Sequence, residues 1–173
     1  MALEHRISEL DTYLFAKGRH YEIYEKMGAH LAEEDGKAGT YFSVWAPNAR
    51  SVSVVGDFNN WDRTAHPMQP VQQSGIWDIF VPGVKAGDLY KFAVETSQGY
   101  TVLKADPYGN QSQLRPDNAS VVADIRYFDW TDQAWRKAHQ EKKTESPMAL
   151  YEVHPGSWKK DPTMQGEFYN FKK

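Results

Sequence analysis

The chain has 173 residues, with 20 lysines and arginines against 23 aspartates and glutamates, a formal net charge of −3. That length suits one ordinary domain with extensions, and the near-neutral balance gives no support to a nucleic-acid or anionic-membrane partner, so neither is expected. There is no cysteine, which removes disulfide frameworks and thiolate zinc sites, and no apolar stretch follows Met1-Ala2-Leu3-Glu4-His5-Arg6, so the cytoplasm is the expected location.

In chain order, Ile7, Leu10, Leu14 and Phe15 fall at helical spacing before Lys17-Gly18, a stop signal, and predict a short amphipathic helix that packs on a neighbouring domain. From Gly28 the pattern changes. Residues 29–32, an Asp35-Gly36 turn and residues 40–45 read as a β-hairpin. Further strands are expected at 52–55, 76–81, 89–95 and 119–122. Short strands separated by Gly, Pro, Asn and Asp, with no helical pattern between them, predict an all-β fold, a sandwich or barrel. Residues 127–143 return to a helical period, with Thr131 as the expected cap and Trp135 and Ala138 within it. Residues 149–154 form a largely apolar run that reads as a buried strand. It stands open between an edge strand of the sandwich and the first strand of a further domain, whose neighbours would have to lie beyond this sequence.

These breaks give expected boundaries of 1–27 for an N-terminal helical extension, 28–125 for a β-sandwich, 126–147 for a linker helix and 148–173 for the start of another domain. No nucleophile–base pair, phosphate loop or metal-ligand spacing is recognisable, so catalytic residues, metal and cofactor are all expected to be absent. The six histidines are scattered. Asp57 and Asp62 are expected to bond within their own turn rather than act as a glycosidase pair.

Trp61 stands apart. A Trp at the tip of the polar turn Gly56-Asp57-Phe58-Asn59-Asn60-Trp61-Asp62 has no evident core to enter, and a flat indole face can stack on the C–H face of a pyranose. Lys91 takes the opposite phase from Tyr90, Phe92 and Val94, so it faces outward, and Tyr100 and Asn118 follow in loops with donors and acceptors that suit sugar hydroxyls. Trp77 shares its phase with Ile79 and Val81 and is assigned to the core, whereas the side taken by Trp45 is left open. Trp130, Trp135 and Trp158 fall outside the sandwich and are expected to pack between domains.

Phe42-Ser43-Val44-Trp45-Ala46-Pro47-Asn48, Gly56-Asp57-Phe58-Asn59-Asn60-Trp61-Asp62, Lys104-Ala105-Asp106-Pro107-Tyr108, Arg115-Pro116-Asp117-Asn118-Ala119-Ser120 and Tyr151-Glu152-Val153-His154-Pro155-Gly156-Ser157-Trp158 occur in that order. In this the sequence resembles the bacterial α-1,4-glucan (glycogen) branching enzymes of the α-amylase superfamily. It departs from them at Asn110-Gln111-Ser112, where relatives tend to be aromatic.

The resemblance implies an immunoglobulin-like antiparallel β-sandwich, a family-48 carbohydrate-binding module, followed at residues 151–154 by the first strand of a (β/α)8 catalytic barrel. It implies an α-glucan partner, such as glycogen or maltooligosaccharides, and places Trp61, Lys91, Tyr100 and Asn118 at glucan-contacting positions. It also implies that the nucleophile and acid/base carboxylates belong to a barrel beyond Lys173, so that this chain alone is inactive. The expected function is the N-terminal part of a glycogen branching enzyme, contributing glucan binding and packing against the barrel. The alternatives are a stand-alone glycogen-binding module and a β-sandwich that binds only protein.

Overall fold

A computed structural model describes residues 6–126, 130–140, 147 and 149–160. The chain divides into two compact units, residues 1–128 and 129–173. In the first, two antiparallel sheets enclose the core. One has the order β1-β2-β5-β4, from β1 (Gly28–Glu34), β2 (Lys37–Trp45), β5 (Ile76–Pro82) and β4 (Gln69–Pro70). The other has the order β3-β6-β9-β8, from β3 (Ser51–Gly56), β6 (Leu89–Glu95), β9 (Ser120–Val121) and β8 (Gln111–Ser112). Here β7 (Thr101–Lys104) pairs with residues 92–95 of β6, beside the β9 pairing at 89–90. The expected antiparallel β-sandwich is the fold observed.

The β1–β2 hairpin closes through Asp35-Gly36, with Glu34 opposite Lys37. Both turn residues have positive φ, 50° and 73°, the left-handed pair whose twist matches that of the flanking strands. Alternation then selects the core. Phe42 and Val44 from β2, Val52 and Val54 from β3, Val81 from β5 and Tyr90 and Phe92 from β6 are all buried in one cluster, with Trp77 packed against it as its phase predicts. Phe42 meets Tyr90 edge to face at 5.0 Å between ring centroids. The free edge of β3 is covered by the returning chain, where Val54 N–H donates to His66 O and Met68 N–H to Val52 O.

The opposite face of β2 is also covered, by the N-terminal segment. Helix α1 (Glu9–Ala16) is capped by Ser8 and ends in a left-handed Gly18, with Arg19 N–H donating to Leu14 O and Gly18 N–H to Phe15 O. Ile7, Ile23, Met27, Val71 and Ile76 form a second buried cluster with Phe15 against it. Leu10, expected on the packed face, is instead exposed. The side of Trp45 is thereby settled, since its ring lies edge to face on Phe15 at 5.9 Å.

Asp11 anchors this segment. It is buried, accepts from Ser8 N–H at 2.8 Å and Ser8 Oγ at 2.7 Å, and pairs with Lys26 Nζ at 2.5 Å and His20 Nε2 at 2.7 Å. Burial pushes its carboxyl up, but the bonds from Lys26, Ser8 and His20 outweigh burial and hold it well below the usual carboxylate range. A depressed folded pKa gives stability that is present above the unfolded value near 3.9 and is lost as pH falls toward the folded one. Asp106 acts in the opposite sense, because burial raises its pKa. Asp11→Asn is expected to cost about 2 kcal/mol at pH 7, the loss of a largely buried charge partner. Urea titrations at pH 7 and pH 3 should show the difference from wild type shrinking at the lower pH; a constant difference would remove Asp11 from the acid limb.

In the second unit, α2 (Gln133–Gln140) follows Asp132 rather than the expected cap Thr131, and residues 127–129 and 141–143 of the expected helical run lie outside the described residues. Trp135 is exposed and stacks on His139 at 3.7 Å, one helical turn away. Residues 149–154, expected as a strand, carry no ladder, and Leu150 and Tyr151 are exposed. A strand exists only through a paired neighbour, and the described residues supply none for this run. A single helical turn, α3 (Pro155–Trp158), follows, with Trp158 edge to face on Tyr151.

Candidate functional site

The site grows from the C-terminal end of β3. Gly56 runs beside β6 so closely that a Cβ there would stand 2.1 Å from Leu89 O. After it Phe58 turns inward onto Phe42, with centroids 5.9 Å apart, and onto His66 at 5.7 Å. Asn59 clamps the turn: its Oδ1 accepts from Gly56 N–H at 2.9 Å and its Nδ2 donates to Val54 O at 3.0 Å. The two residues that follow, Asn60 and Trp61, both have left-handed backbone, φ 53° and 61°. Asn tolerates that region; a Trp there is an outlier held by its surroundings.

Trp61 is held at both ends. Its N–H donates to Gly56 O at 3.0 Å and its indole Nε1–H to Asp57 Oδ1 at 3.1 Å. The ring is half-buried, so it is less free than a Trp at an open tip, and its edge is fixed by the carboxylate. Asp62 Oδ1 accepts from the N–H and hydroxyl of Thr64, each at 2.8 Å, and these two bonds hold its carboxyl below the ordinary range. Both carboxylates of the turn thus serve the turn, as expected.

Lys91 lies on the outer face of β6 opposite Val55, next to the Tyr90 that pairs with Gly56. Its Nζ donates to Asn118 Oδ1 at 2.5 Å, which joins the strand to the loop leading into β9. The start of β6 therefore gathers Trp61's turn, Lys91 and Asn118. Tyr100 is exposed in the β6–β7 hairpin, where its carbonyl accepts from Thr96 N–H. Thr96 directly follows β6 and is five residues from Lys91, roughly 16 Å of extended chain. The four expected residues thus span a strip rather than a pocket. Sequence reasoning passed over Leu114, which is 88% exposed on the same loop as Asn118. A lone leucine in a polar loop carries no periodic signal; only its exposure marks it. Among the described residues no group of three or more His, Asp or Glu is placed to hold a metal ion, and no helix is long and apolar enough to cross a membrane.

Residues 26–109 match carbohydrate-binding module 48, the isoamylase N-terminal domain. The chain is 50% identical over 165 residues to the 1,4-alpha-glucan branching enzyme GlgB of Protochlamydia amoebophila, covering 95% of this chain and 23% of that protein. It is 49% identical over 168 residues to the GlgB of Butyrivibrio fibrisolvens, covering 96% and 26% respectively. Among solved structures, ligand-free PulA from Klebsiella pneumoniae aligns with a TM-score of 0.48 and 28% identity, over 66% of this chain and 10% of that one. The chain thus spans about a quarter of the length of these curated relatives. By the identity shared along nearly all of its length, and by the module at residues 26–109, the chain belongs to the family of bacterial 1,4-α-glucan branching enzymes.

Proposed function

We propose that the sandwich, residues 28–125, binds α-glucan chains such as glycogen and maltooligosaccharides along the strip from Trp61 through Lys91 and Asn118 to Tyr100. The chain then serves as the N-terminal part of a cytoplasmic glycogen branching enzyme, with residues 1–27 as its helical extension and 126–147 as the linker. Residues 148–173 begin the catalytic barrel on this reading, and the exposed Leu150 and Tyr151 support it, because apolar side chains on a first barrel strand require cover from the strands and helices that follow. In the whole protein the reaction would be a retaining transfer of a glucan segment, carried by two barrel carboxylates. The chain described here contributes binding and packing.

The observation that carries the proposal is Trp61, a bulky residue held at positive φ with its indole edge tied to Asp57. Such strain persists where surroundings over-determine it, and a fixed aromatic face suits sugar stacking. The test is a maltoheptaose titration of the 173-residue chain followed by Trp fluorescence. A saturable change is expected; its absence overturns the glucan reading in favour of a protein-binding sandwich. Lys91→Ala and Asn118→Ala should each weaken binding about three- to tenfold, the range for one hydrogen-bonding contact. Tyr100→Ala should weaken maltoheptaose more than maltose, since only the longer chain reaches the hairpin.

A further inference from the structure

A cavity lies away from the Trp61 strip, where β1, an edge strand of one sheet, faces the residues that leave β9 and the start of β8 in the other. Its volume is about 380 Å³, within the range of small-ligand sites. Arg6, Tyr24, Glu25, His30, Asp124 and Arg126 line it together with Asn110, and none of the four glucan-strip residues does. We propose that this cavity is a separate binding site for a neutral saccharide, which packs a sugar ring against Tyr24 and spreads its hydroxyls over the surrounding polar groups.

Charge selects the ligand class. Two guanidinium groups, Arg6 and Arg126, are matched by two carboxylates, Glu25 and Asp124. Burial pushes the His30 imidazole below its ordinary value, so it adds no positive charge near neutral pH. A cavity with no net charge favours neither a phosphate nor a cation. It does offer donors and acceptors side by side, the requirement of a polyol, in which every hydroxyl both donates and accepts.

Four of these polar groups have partners within the fold. Arg126 Nε and Nη2 donate to the two oxygens of Asp124, each at 2.9 Å, and its backbone N–H donates to Asp124 Oδ1 at 3.1 Å. Arg6 is held by its Nη2 on Glu25 O at 3.1 Å, by its N–H on Tyr41 Oη at 2.7 Å, and by its guanidinium 5.7 Å from the centre of the Tyr41 ring. His30 Nε2 stands 2.8 Å from Met27 O, its partner within the fold. Groups oriented in advance lose little freedom on binding. Tyr24 and Ile125 remain 58% and 66% exposed at the cavity, an aromatic face and an apolar wall. That pairing of apolar ring face with a hydrogen-bonding rim suits a pyranose.

Amide chemical shifts of the labelled 173-residue chain, titrated with maltose, test this. Saturable shifts are expected at Ala29, Leu31, Asn110 and Ile125, as a group separate from those around Trp61, Lys91 and Asn118. Tyr24→Ala should weaken the first group about tenfold, the loss of one stacked ring, and leave the second unchanged. Trp61→Ala should do the converse, and Tyr24→Phe should retain binding. The proposal is overturned if maltose at its highest usable concentration moves none of the first group, if those shifts persist unaltered in Tyr24→Ala, or if inorganic phosphate produces them instead. Shifts caused by an extended peptide but not by maltose would likewise overturn it, reassigning the cavity to strand addition at β1. Because the two groups are read separately, loss of the Trp61 response alone sinks the glucan strip and leaves this site standing.

Discussion

Replacing Gly56 by alanine is expected to destabilise the sandwich by at least about 3 kcal/mol and to lower its melting temperature by roughly 10 °C or more. The reason is not backbone freedom, because Gly56 has φ −178°, extended geometry open to any residue. It is space. An alanine Cβ would stand 2.1 Å from Leu89 O and 2.6 Å from Phe58 Cε1, and the first of these is backbone of the paired strand. Relief would require β3 and β6 to part at Gly56–Tyr90, beside the fully buried Tyr90 whose hydroxyl donates to Asp106 at 2.6 Å. Glucan binding should fall as well, since Gly56 O holds the Trp61 N–H and Gly56 N–H is held by Asn59. Gly36→Ala is the contrast: nothing lies within 4 Å of its Cβ, and the cost is only the positive φ of 73°, about 1 kcal/mol. Thermal melts of the two variants check the argument. A Gly56→Ala protein that melts within a couple of degrees of wild type would mean the strands separate at little cost.

The same distinction between local chemistry and assembled geometry explains what the sequence revealed. Asp35-Gly36 specifies its hairpin because a two-residue turn with two positive φ angles admits few residue types, and Trp77 could be assigned to the core because Ile79 and Val81 continue its phase. β4 and β8, two residues each, carry no alternation of their own; Gln69-Pro70 and Gln111-Ser112 are strands only because β5 and β9 offer ladders. Residues 149–154 show the reverse, an apolar run with the composition of a strand but no ladder among the described residues. The side of Trp45 was unreadable because both faces of β2 are covered, one by the opposite sheet and one by the N-terminal segment. For the candidate site, the turn was legible as a contiguous motif. The Lys91–Asn118 bond joins residues 27 positions apart, and the cavity at Tyr24 draws on several separate segments, so neither follows from spacing.

Removing the Trp61 ring should separate binding from folding. Trp61→Ala is expected to weaken maltoheptaose about 10- to 100-fold, the scale of losing a central aromatic contact. It would not by itself distinguish a lost platform from a deformed turn, because alanine keeps the strain of a left-handed backbone at φ 61°. Trp61→Gly makes that distinction. Glycine adopts this φ without penalty, so the relief of about 1 kcal/mol offsets part of the lost packing of a half-buried ring, and stability should stay within about 1 kcal/mol of wild type. Binding should be as weak as in Trp61→Ala. Asp57→Ala supplies the intermediate step: the ring remains, but the 3.1 Å bond that fixes its edge is gone, so affinity should fall only severalfold. Calorimetric titration with maltoheptaose beside a urea melt of each variant gives both quantities. If Trp61→Gly folds normally and still binds with wild-type affinity, the indole is a structural clamp of the turn and the sugar is held elsewhere.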